Sequence, residues 1–376
     1  MARVSIKNVS KVYPSAKPEP ITVLDDVSLE VDDGEFAVLA GPPGCGKSTI
    51  LRMIAGLEQV SKGDIFLGDR RVNEVPAKDR EIAMVFRDDA LYPNMSAYDN
   101  MAFGLKRRDF SKAEIEKRVR EAAAILGLDE VLELKPSALD RVQRQRAAIG
   151  RAMVRQPRVW LFDEPLLNLD GTQRVDIRTE ITKLHQRLGA TMIYGTGDSI
   201  EALAMGDRLV VMNNGAVQQN GAPSALYREP ANLFVAGFLG RPPMNFIHGE
   251  LKRGRDSLLF SEREGGTIEI RLPASEWLAA QEFVGKPVVL GIRPEEIQVN
   301  QSTQQKGAVP GGFAAIVEVV EPMGAETNLY LSTGAHSVVC RSVSPFDQKD
   351  SGRRMQFEID VPKVHLFDSM SLRRLI

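Results

Sequence analysis

Hydrophobic and polar residues alternate with a period of two in two short runs near the start of the chain, Val4-Ser5-Ile6 and Val27-Ser28-Leu29-Glu30-Val31. This alternation predicts two half-buried strands. Two other runs, Phe36–Ala40 and Val159-Trp160-Leu161-Phe162, are wholly apolar. Continuous apolar runs of this length are typical of strands buried on both faces of a parallel sheet. The chain is therefore expected to combine exposed and fully buried strands.

Three helices are predicted in the same half of the chain. Ser111-Lys112-Ala113-Glu114 has the order of a capping box and predicts a helix that runs to about Leu126, where Gly127 stops it. A second helix carries residues 143–155 and ends at Pro157. A third is predicted from aliphatic residues at helical spacing, which are Ile177, Ile181, Leu184 and Leu188.

Gly189 closes the third helix, and Met192-Ile193-Tyr194 begins another strand. This succession of strands and helices predicts a doubly wound α/β core. The pattern changes near Arg241-Pro242-Pro243, so we expect one domain over residues 1–240 and another over 241–376. Short β-like runs predict a small barrel-like domain in the second part, and these are Ile268-Glu269-Ile270, Val288-Val289-Leu290, Ala315-Ile316-Val317-Glu318-Val319, Asn328-Leu329-Tyr330-Leu331 and Phe357-Glu358-Ile359.

Composition narrows the class of protein. The 376 residues suggest two domains, and the formal net charge of −2 argues against broad electrostatic binding to nucleic acid. No apolar run approaches the ~18 residues of a membrane span, and the N-terminus lacks a signal-peptide layout, so we expect a cytosolic protein. Cys45 and Cys340 give no disulfide framework. The histidines have no metal-ligand spacing and are interpreted as surface or packing residues, namely His185, His248, His336 and His365.

The clearest chemical motif is the octapeptide Gly41-Pro42-Pro43-Gly44-Cys45-Gly46-Lys47-Ser48, which fits the pattern G-x-x-x-x-G-K-[ST]. It stands between the apolar run Phe36–Ala40 and the helix-like segment Thr49-Ile50-Leu51-Arg52-Met53-Ile54. In that setting glycines allow several N–H groups to face one anion, while Lys47 and Ser48 serve the terminal phosphates and Mg²⁺. The octapeptide predicts a nucleoside triphosphate site; the alternative is a glycine-rich turn.

A second candidate element follows the apolar run that ends at Phe162. Mg²⁺ requires a hard carboxylate beside the loop hydroxyl, and hydrolysis requires a base where water attacks the γ-phosphate. Asp163 and Glu164 are placed for these two roles.

Seven segments, in order, resemble those of ABC-transporter ATP-binding subunits over nearly the whole chain. They are Ser10-Lys11-Val12-Tyr13, the phosphate loop, Ala83-Met84-Val85-Phe86, Ala90-Leu91-Tyr92-Pro93, Gln143-Arg144-Gln145-Arg146, Leu161-Phe162-Asp163-Glu164-Pro165 and Asn168-Leu169-Asp170. Within that family the chain resembles the carbohydrate-uptake branch of maltose and glycerol-3-phosphate importers. Gly291-Ile292-Arg293-Pro294-Glu295 and Val320-Glu321-Pro322-Met323-Gly324-Ala325-Glu326 resemble segments of its C-terminal oligosaccharide-binding-like (OB-like) regulatory domain.

The resemblance implies a fold and a set of site residues. The fold would be a P-loop ABC ATPase domain, with a mixed sheet and a helical subdomain at about 88–157, followed by an all-β OB-like domain. Tyr13 would stack on adenine, although a packed strand-end aromatic is the alternative. Asp163 would support Mg²⁺ together with Ser48, and Glu164 would be the catalytic base. ATP and Mg²⁺ would be held by the loop and helix start, with Gly41, Gly44, Cys45, Gly46, Lys47, Ser48 and Thr49.

The resemblance also implies partners. The ATP-binding subunit would sit peripherally on the cytoplasmic face of the inner membrane, with two membrane-spanning permease subunits and, indirectly, a solute-binding protein. Leu91-Tyr92-Pro93 would face a coupling helix of a permease, or would be an ordinary loop with apolar anchors.

The chain departs from the family at positions that sense the γ-phosphate. Arg87 replaces a glutamine; a cation that only donates could still meet a phosphate oxygen, but it cannot ligate Mg²⁺. Leu139-Asp140-Arg141-Val142-Gln143 replaces the Leu-Ser-Gly-Gly-Gln signature that closes over the ATP of the opposite protomer. Asp140 is a good N-cap, but its charge repels phosphate, and Val142 is bulkier than glycine. Gly197 replaces a histidine, and Leu167 replaces a serine.

These departures predict little hydrolysis, since one lost transition-state contact costs roughly 10²–10³ in rate. A homodimer would carry each of these departures twice. Pairing with a second ATP-binding subunit that has a complete signature is therefore favoured. The expected function is an energy-coupling subunit of a sugar or polyol importer, glycerol or glycerol 3-phosphate being possible solutes. The alternative is a nucleotide-binding regulatory protein with little ATPase activity. A nucleic-acid ATPase is disfavoured by the net charge.

Overall fold

The computed structural model describes residues 2–14, 20–263, 265–273, 277–300 and 311–375. Contacts divide the chain into two compact units, residues 1–226 and residues 227–376. This division lies earlier in the chain than the change of sequence pattern at residues 240 and 241.

The secondary structure is as follows. The strands of the first unit are β1 (Val4–Tyr13), β2 (Ile21–Val31), β3 (Phe36–Ala40), β4 (Lys62–Leu67), β5 (Arg70–Arg71), β6 (Ile82–Val85), β7 (Val159–Asp163), β8 (Thr191–Thr196), β9 (Arg208–Asn213) and β10 (Ala216–Gly221). The helices are α1 (Lys47–Ala55), α2 (Ala97–Lys106), α3 (Lys112–Leu126), α4 (Arg141–Met153), α5 (Gly171–Leu188), α6 (Ser199–Ala204), α7 (Pro223–Arg228) and α8 (Leu233–Phe238). The remaining strands are β11 (Asn245–Arg253), β12 (Ser257–Glu262), β13 (Glu269–Pro273), β14 (Pro287–Ile292), β15 (Ile297–Val299), β16 (Gly312–Pro322), β17 (Thr327–Ser332), β18 (Ser337–Ser342), β19 (Arg354–Ile359) and β20 (His365–Asp368).

Two sheets build the first unit. One is antiparallel, with strand order β2-β1-β4-β5. The other has the order β10-β9-β3-β8-β7-β6; it is parallel from β9 to β6, and β10 is antiparallel. The predicted α/β core is therefore confirmed, and it has the mixed sheet that the family resemblance implied. Both apolar runs form central strands, and β3 and β7 are buried along their whole length.

Local sequence signals place the helix ends. The Ser111 side chain accepts a hydrogen bond from the Glu114 N–H at 3.2 Å, and Gly127 ends α3 in the left-handed conformation, as predicted. Helix α4 begins earlier than the predicted 143–155, because Asp140 caps it, and it ends earlier, at Met153. No helix in the described ranges is long and apolar enough to cross a membrane.

The parallel strand order fixes where the candidate residues lie. Strands β3, β8, β7 and β6 are neighbours, and their carboxyl ends share one edge of the sheet. The phosphate loop follows β3 and Gly197 follows β8. Asp163 ends β7, Glu164 comes directly after it, and Arg87 follows β6. Ligands of open α/β sheets bind at this edge, so one surface collects residues that are far apart in sequence.

The second unit is all β apart from short helical turns. Its antiparallel sheets have the orders β13-β12-β11-β14-β20 and β15-β19-β16-β17-β18. Buried residues of both sheets form one apolar core that includes Phe260, Leu290, Phe313 and Phe357. All five β-like runs predicted from the sequence lie in strands of this unit, although Ile268 immediately precedes β13.

Candidate nucleotide-binding site

The phosphate loop turns sharply between β3 and α1. Gly46 is the N-cap of α1 and has a φ of 107°, a left-handed conformation that favours glycine. A Cβ on Gly46 would lie 2.4 Å from a Leu24 methyl carbon, and one on Gly41 would lie 2.2 Å from the Met212 carbonyl oxygen. Only glycine fits these two positions, and the backbone N–H groups around the start of α1 are left to face an anion.

Lys47 lies inside this loop. Its side chain is 3% exposed, and its Nζ donates hydrogen bonds to the carbonyl oxygens of Gly41 at 2.8 Å and Pro42 at 3.1 Å. Cys45 is also buried, with its Sγ 3.8 Å from the same Nζ. The loop therefore folds around the lysine ammonium and holds a positive charge where a phosphate would lie.

Ser48 and Asp163 form the predicted hydroxyl–carboxylate pair. The Ser48 hydroxyl donates to Asp163 Oδ1 at 2.6 Å, and the Asp163 side chain is 4% exposed. The other carboxylate oxygen is 4.0 Å from Arg52 Nη2. A hydroxyl beside a buried carboxylate is the oxygen donor set that Mg²⁺ uses together with nucleotide phosphates.

Glu164 follows β7 and is held between two cations. Its Oε1 lies 3.3 Å from Lys47 Nζ, and its Oε2 accepts a hydrogen bond from Arg87 Nη2 at 2.6 Å. The Glu164 side chain is 10% exposed, whereas that of Arg87 is 47% exposed. Glu164 has a φ of 48°, a conformation that costs roughly 1–2 kcal/mol in a residue with a Cβ. Its N–H donates to the Gly195 carbonyl at 3.0 Å, which fixes the residue against β8.

The Arg87–Glu164 ion pair was not predicted. In the structure Arg87 contacts the candidate base, and its contact with a phosphate oxygen stays a prediction. The two residues are 77 positions apart. A signal was present, because a cation and a carboxylate follow β6 and β7, which pair in parallel through Val85 and Phe162.

Gly197 lies close to the same carboxylate. A Cβ built on it would be 3.6 Å from the Gly41 carbonyl oxygen and 3.9 Å from Glu164 Oε1. Both separations are ordinary van der Waals distances, so the backbone admits a side chain here. A side chain at this position would start beside the phosphate loop and the candidate base.

The signature segment forms the start of α4. The Asp140 side chain accepts from the Gln143 N–H at 2.8 Å, and the Gln143 side chain accepts from the Asp140 N–H at 3.0 Å, which completes a capping box. Arg141 Nη1 donates to the Asn168 carbonyl at 3.2 Å, and Val142 is half-buried. In the described part of the chain, no hydrogen bond or ion pair joins residues 140–143 to the phosphate loop.

Tyr13 lies beside the first turn of α1. The Lys11 ammonium is 4.6 Å from the centroid of its ring. Burial and then the hydrogen bond with Glu58 raise the pKa of Tyr13, and Thr49 also interacts with its hydroxyl. The ring is therefore near the nucleotide site, and stacking on adenine stays a prediction.

Two polar residues that were not predicted from the sequence anchor the segment after Arg87. Asn100 is fully buried on α2; its Oδ1 accepts from the Tyr92 N–H at 2.7 Å, and its Nδ2 donates to the Tyr92 carbonyl at 3.1 Å. Arg151 Nη1 donates to the Ala90 carbonyl at 2.6 Å. These bonds fix the backbone, while Tyr92 keeps 43% of its surface exposed. The sequence signal for this anchor is an asparagine among the apolar positions of α2, because a buried polar side chain requires hydrogen-bond partners.

The residues present fit MgATP. The glycines form a cradle that a Cβ would fill, Lys47 supplies the cation, and Ser48 with Asp163 supplies oxygen ligands. A cluster of three or more His, Cys, Asp or Glu side chains that could hold a metal by itself is absent from the described residues.

Three known families match successive parts of the chain. The ABC transporter family matches residues 24–167, the MalK OB fold domain matches residues 240–297, and the TOBE domain matches residues 290–367. Among solved structures, the ATP-binding cassette MJ0796 bound to ADP and Pi is similar, with a TM-score of 0.54 and 30% identity. The match covers 58% of this chain and 98% of the cassette.

Relatives are similar over nearly the full length. The oligosaccharides import ATP-binding protein MsmX of Bacillus subtilis is 45% identical over 371 residues, and the trehalose/maltose import ATP-binding protein MalK of Thermococcus litoralis is 45% identical over 380 residues. An uncharacterized ABC transporter ATP-binding protein of Escherichia coli, YcjV, is 46% identical. Each match covers 98% of both chains. The chain therefore belongs to the ABC transporter family of ATP-binding proteins, in the group whose ATP-binding domain is followed by MalK-type OB and TOBE domains.

Proposed function

We propose that this chain is the ATP-binding, energy-coupling subunit of an importer for a sugar or polyol, with glycerol and glycerol 3-phosphate among the candidate solutes. The names of MsmX and MalK support sugar import, and both proteins match this chain from end to end. The OB and TOBE domains further support this group. A purely regulatory nucleotide-binding protein is less well supported, because the similarity to import proteins extends over 98% of the chain.

MgATP is the proposed ligand. Lys47 binds the terminal phosphates, the N–H groups from Gly44 to Thr49 bind phosphate oxygens, and Ser48 and Asp163 hold the cation. Mg²⁺ held by Ser48 and Asp163 would neutralise negative charge on the phosphates. Tyr13 stacks on the base.

The proposed site binds nucleotide well and hydrolyses it slowly. The observation that carries this proposal is the 2.6 Å bond from Arg87 to Glu164. The Glu164 carboxylate accepts from this guanidinium and also lies 3.3 Å from Lys47 Nζ, so each of its oxygens contacts a cation instead of an attacking water. Gly197 supplies no side chain to orient the attacking water, so this chain has lost two positioning groups.

The signature residues lead to a proposal about assembly. The capping box at the start of α4 uses the N–H groups of Asp140 and Gln143, which are then not free for a phosphate. The Asp140 carboxylate also places a negative charge at the helix end where the opposite protomer's phosphate would lie. Pairing with a second, fuller ATP-binding subunit supplies an intact signature to the nucleotide on this chain. A homodimer supplies none.

The remaining partners are two membrane-spanning permease subunits and, through them, a solute-binding protein; nucleic acid is not a partner. The complex sits on the cytoplasmic face of the inner membrane. The exposed Tyr92, on a loop held by Asn100 and Arg151, is the proposed contact with a permease.

Assembly is tested by co-expression. The tagged chain is produced with the ATP-binding and permease subunits encoded beside it, and native mass spectrometry measures the stoichiometry of the purified complex. We expect one copy of this chain and one copy of a second ATP-binding subunit. A complex that contains two copies of this chain and hydrolyses ATP rapidly would contradict the pairing. Failure of the chain to associate with any permease would contradict the importer function itself.

A further inference from the structure

A cavity of about 470 Å³ lies within the second unit, apart from the nucleotide site. It is bordered by residues from α7, from the segment before β15 and from the C-terminal strand region. The cationic side chains of its lining are those of Arg228, Arg293, Lys363 and Arg374. The carboxylates are those of Glu229 and Glu296. Cations outnumber carboxylates, so the cavity has a positive balance. Its volume is in the range of small-molecule sites.

Lys363 does not account for the free positive charge. Its Nζ lies 2.8 Å from Glu296 Oε2 and 2.9 Å from Asp360 Oδ2. These two carboxylates neutralise it. Two other cations of the lining, Arg293 and Arg374, form no ion pair among the described residues.

Arg293 is buried with its charge directed to carbonyl groups. It is 4% exposed, and its guanidinium donates to the carbonyl oxygens of Tyr227, at 2.8 Å, and Ala236, at 3.1 Å. Its Nε is buried and has no acceptor among the described residues. Carbonyl oxygens carry no net charge, and the guanidinium also lies over the Tyr227 ring, 3.8 Å from its centroid. Glu295 is the carboxylate that interacts with this charge, without forming a direct ion pair.

Arg374 and His365 also line the cavity. In the described part of the chain, the Arg374 guanidinium makes no ion pair, and the His365 ring makes no hydrogen bond. Burial and then the charges of Arg374 and Arg293 lower the pKa of His365 to about 4. The imidazole therefore lies within electrostatic range of both guanidinium groups. A neutral imidazole can still donate one hydrogen bond to an anion.

The cavity also has apolar and acidic lining residues. Pro362 and Val364 provide apolar surface, and Glu229 and Glu296 provide hydrogen-bond acceptors. Phosphate alone fills only part of such a cavity. A carbon body with hydroxyl groups would cover the apolar surface and donate to the carboxylates, while guanidinium groups match a phosphate in geometry.

We propose that this cavity binds a small phosphorylated carbohydrate or polyol, with its phosphate between Arg374, His365 and Arg293 and its hydroxyl groups toward Glu229 and Glu296. The ligand gives the second unit a means of sensing a phosphorylated metabolite, independently of ATP bound at Lys47.

The test uses the full chain with its phosphate loop saturated by MgADP, so that added phosphates do not report on that loop. Ring-labelled histidine gives one NMR signal for each of the four histidines, and His365→Gln identifies the relevant one. Glucose 6-phosphate, glucose and inorganic phosphate are titrated separately. We expect glucose 6-phosphate to shift the His365 signal and to raise the pKa of His365 above about 4, because a bound dianion offsets the arginine charges. Glucose should leave the signal unchanged, and inorganic phosphate should bind about tenfold more weakly.

Matched arginine variants locate the site. Arg374→Gln is expected to weaken glucose 6-phosphate binding by about tenfold or more, and Arg374→Lys to restore most of it, since a charge-assisted bond is regained. The exposed neighbour Arg373 is the control, and Arg373→Gln should leave binding unchanged. Thermal melting shows that each variant is folded, and the lysine variant remains informative if the glutamine variant is not. An unshifted His365 signal, equal binding of inorganic phosphate, or equal effects of the two glutamine variants would overturn the proposal.

Discussion

Replacing Lys47 with alanine is expected to weaken MgATP binding by about a hundredfold. The ammonium is 3% exposed at the centre of the loop, where its bonds to the Gly41 and Pro42 carbonyls hold it in place for a phosphate. A hydrogen bond to a charged group contributes about 1.5–3 kcal/mol, and about 2.7 kcal/mol corresponds to a hundredfold change in Kd. Isothermal titration calorimetry on the purified chain measures the change.

The control for this variant is Lys112→Ala, because Lys112 is an exposed lysine at the start of α3. It should bind MgATP as the unmodified chain does. If Lys47→Ala also bound MgATP with unchanged affinity, the phosphate loop would not be the nucleotide site.

Restoring the family's residues is expected to raise ATP turnover by about a hundredfold or more, since each positioned transition-state contact is worth roughly 10²–10³ in rate. The restored chain combines Arg87→Gln and Gly197→His with Asp140→Ser, Arg141→Gly and Val142→Gly. Arg87→Gln releases Glu164 from its 2.6 Å ion pair. Gly197→His is sterically feasible, because a Cβ there meets its neighbours at 3.6 Å and beyond. Phosphate release in the steady state is the measurement.

Two controls separate the chemistry from folding. Arg70→Gln removes an exposed arginine on β5 and should leave turnover unchanged. Adding Glu164→Gln to the restored chain should abolish the gain, since that variant lacks the base. A gain that survives Glu164→Gln would show that Glu164 is not the base.

Local sequence signals predicted much of the architecture. The capping boxes, the glycine stops and the apolar runs act within a few residues, so the bounds of α3 and the central strands β3 and β7 followed from the sequence. The end of α4 was less well placed, because the helix stops at Met153 before the proline is reached. The division of the chain at Leu226 rests on contacts, whereas the expected boundary near residue 240 rests on composition, so the predicted domain bounds stay a prediction.

Contacts between distant residues could not be predicted in the same way. Arg87 and Glu164 meet only because β6 and β7 pair in parallel and end at one edge. His336 is another case. The sequence interpretation placed it at the surface or in packing, whereas in the structure its Nδ1 lies 2.6 Å from the Glu262 carboxylate, whose side chain is 0% exposed. Such pairs depend on strand register rather than on local pattern.

The most direct test of the central claim measures MgATP affinity and turnover on one preparation of the isolated chain. We expect MgATP to bind with a Kd of about 100 µM or tighter, and turnover to stay below about one per minute, far under the roughly 1–10³ per second that is common for enzymes. Tight binding with slow turnover would agree with a site that binds nucleotide while Arg87 is paired with Glu164. Turnover of about one per second or faster in the isolated chain would contradict it.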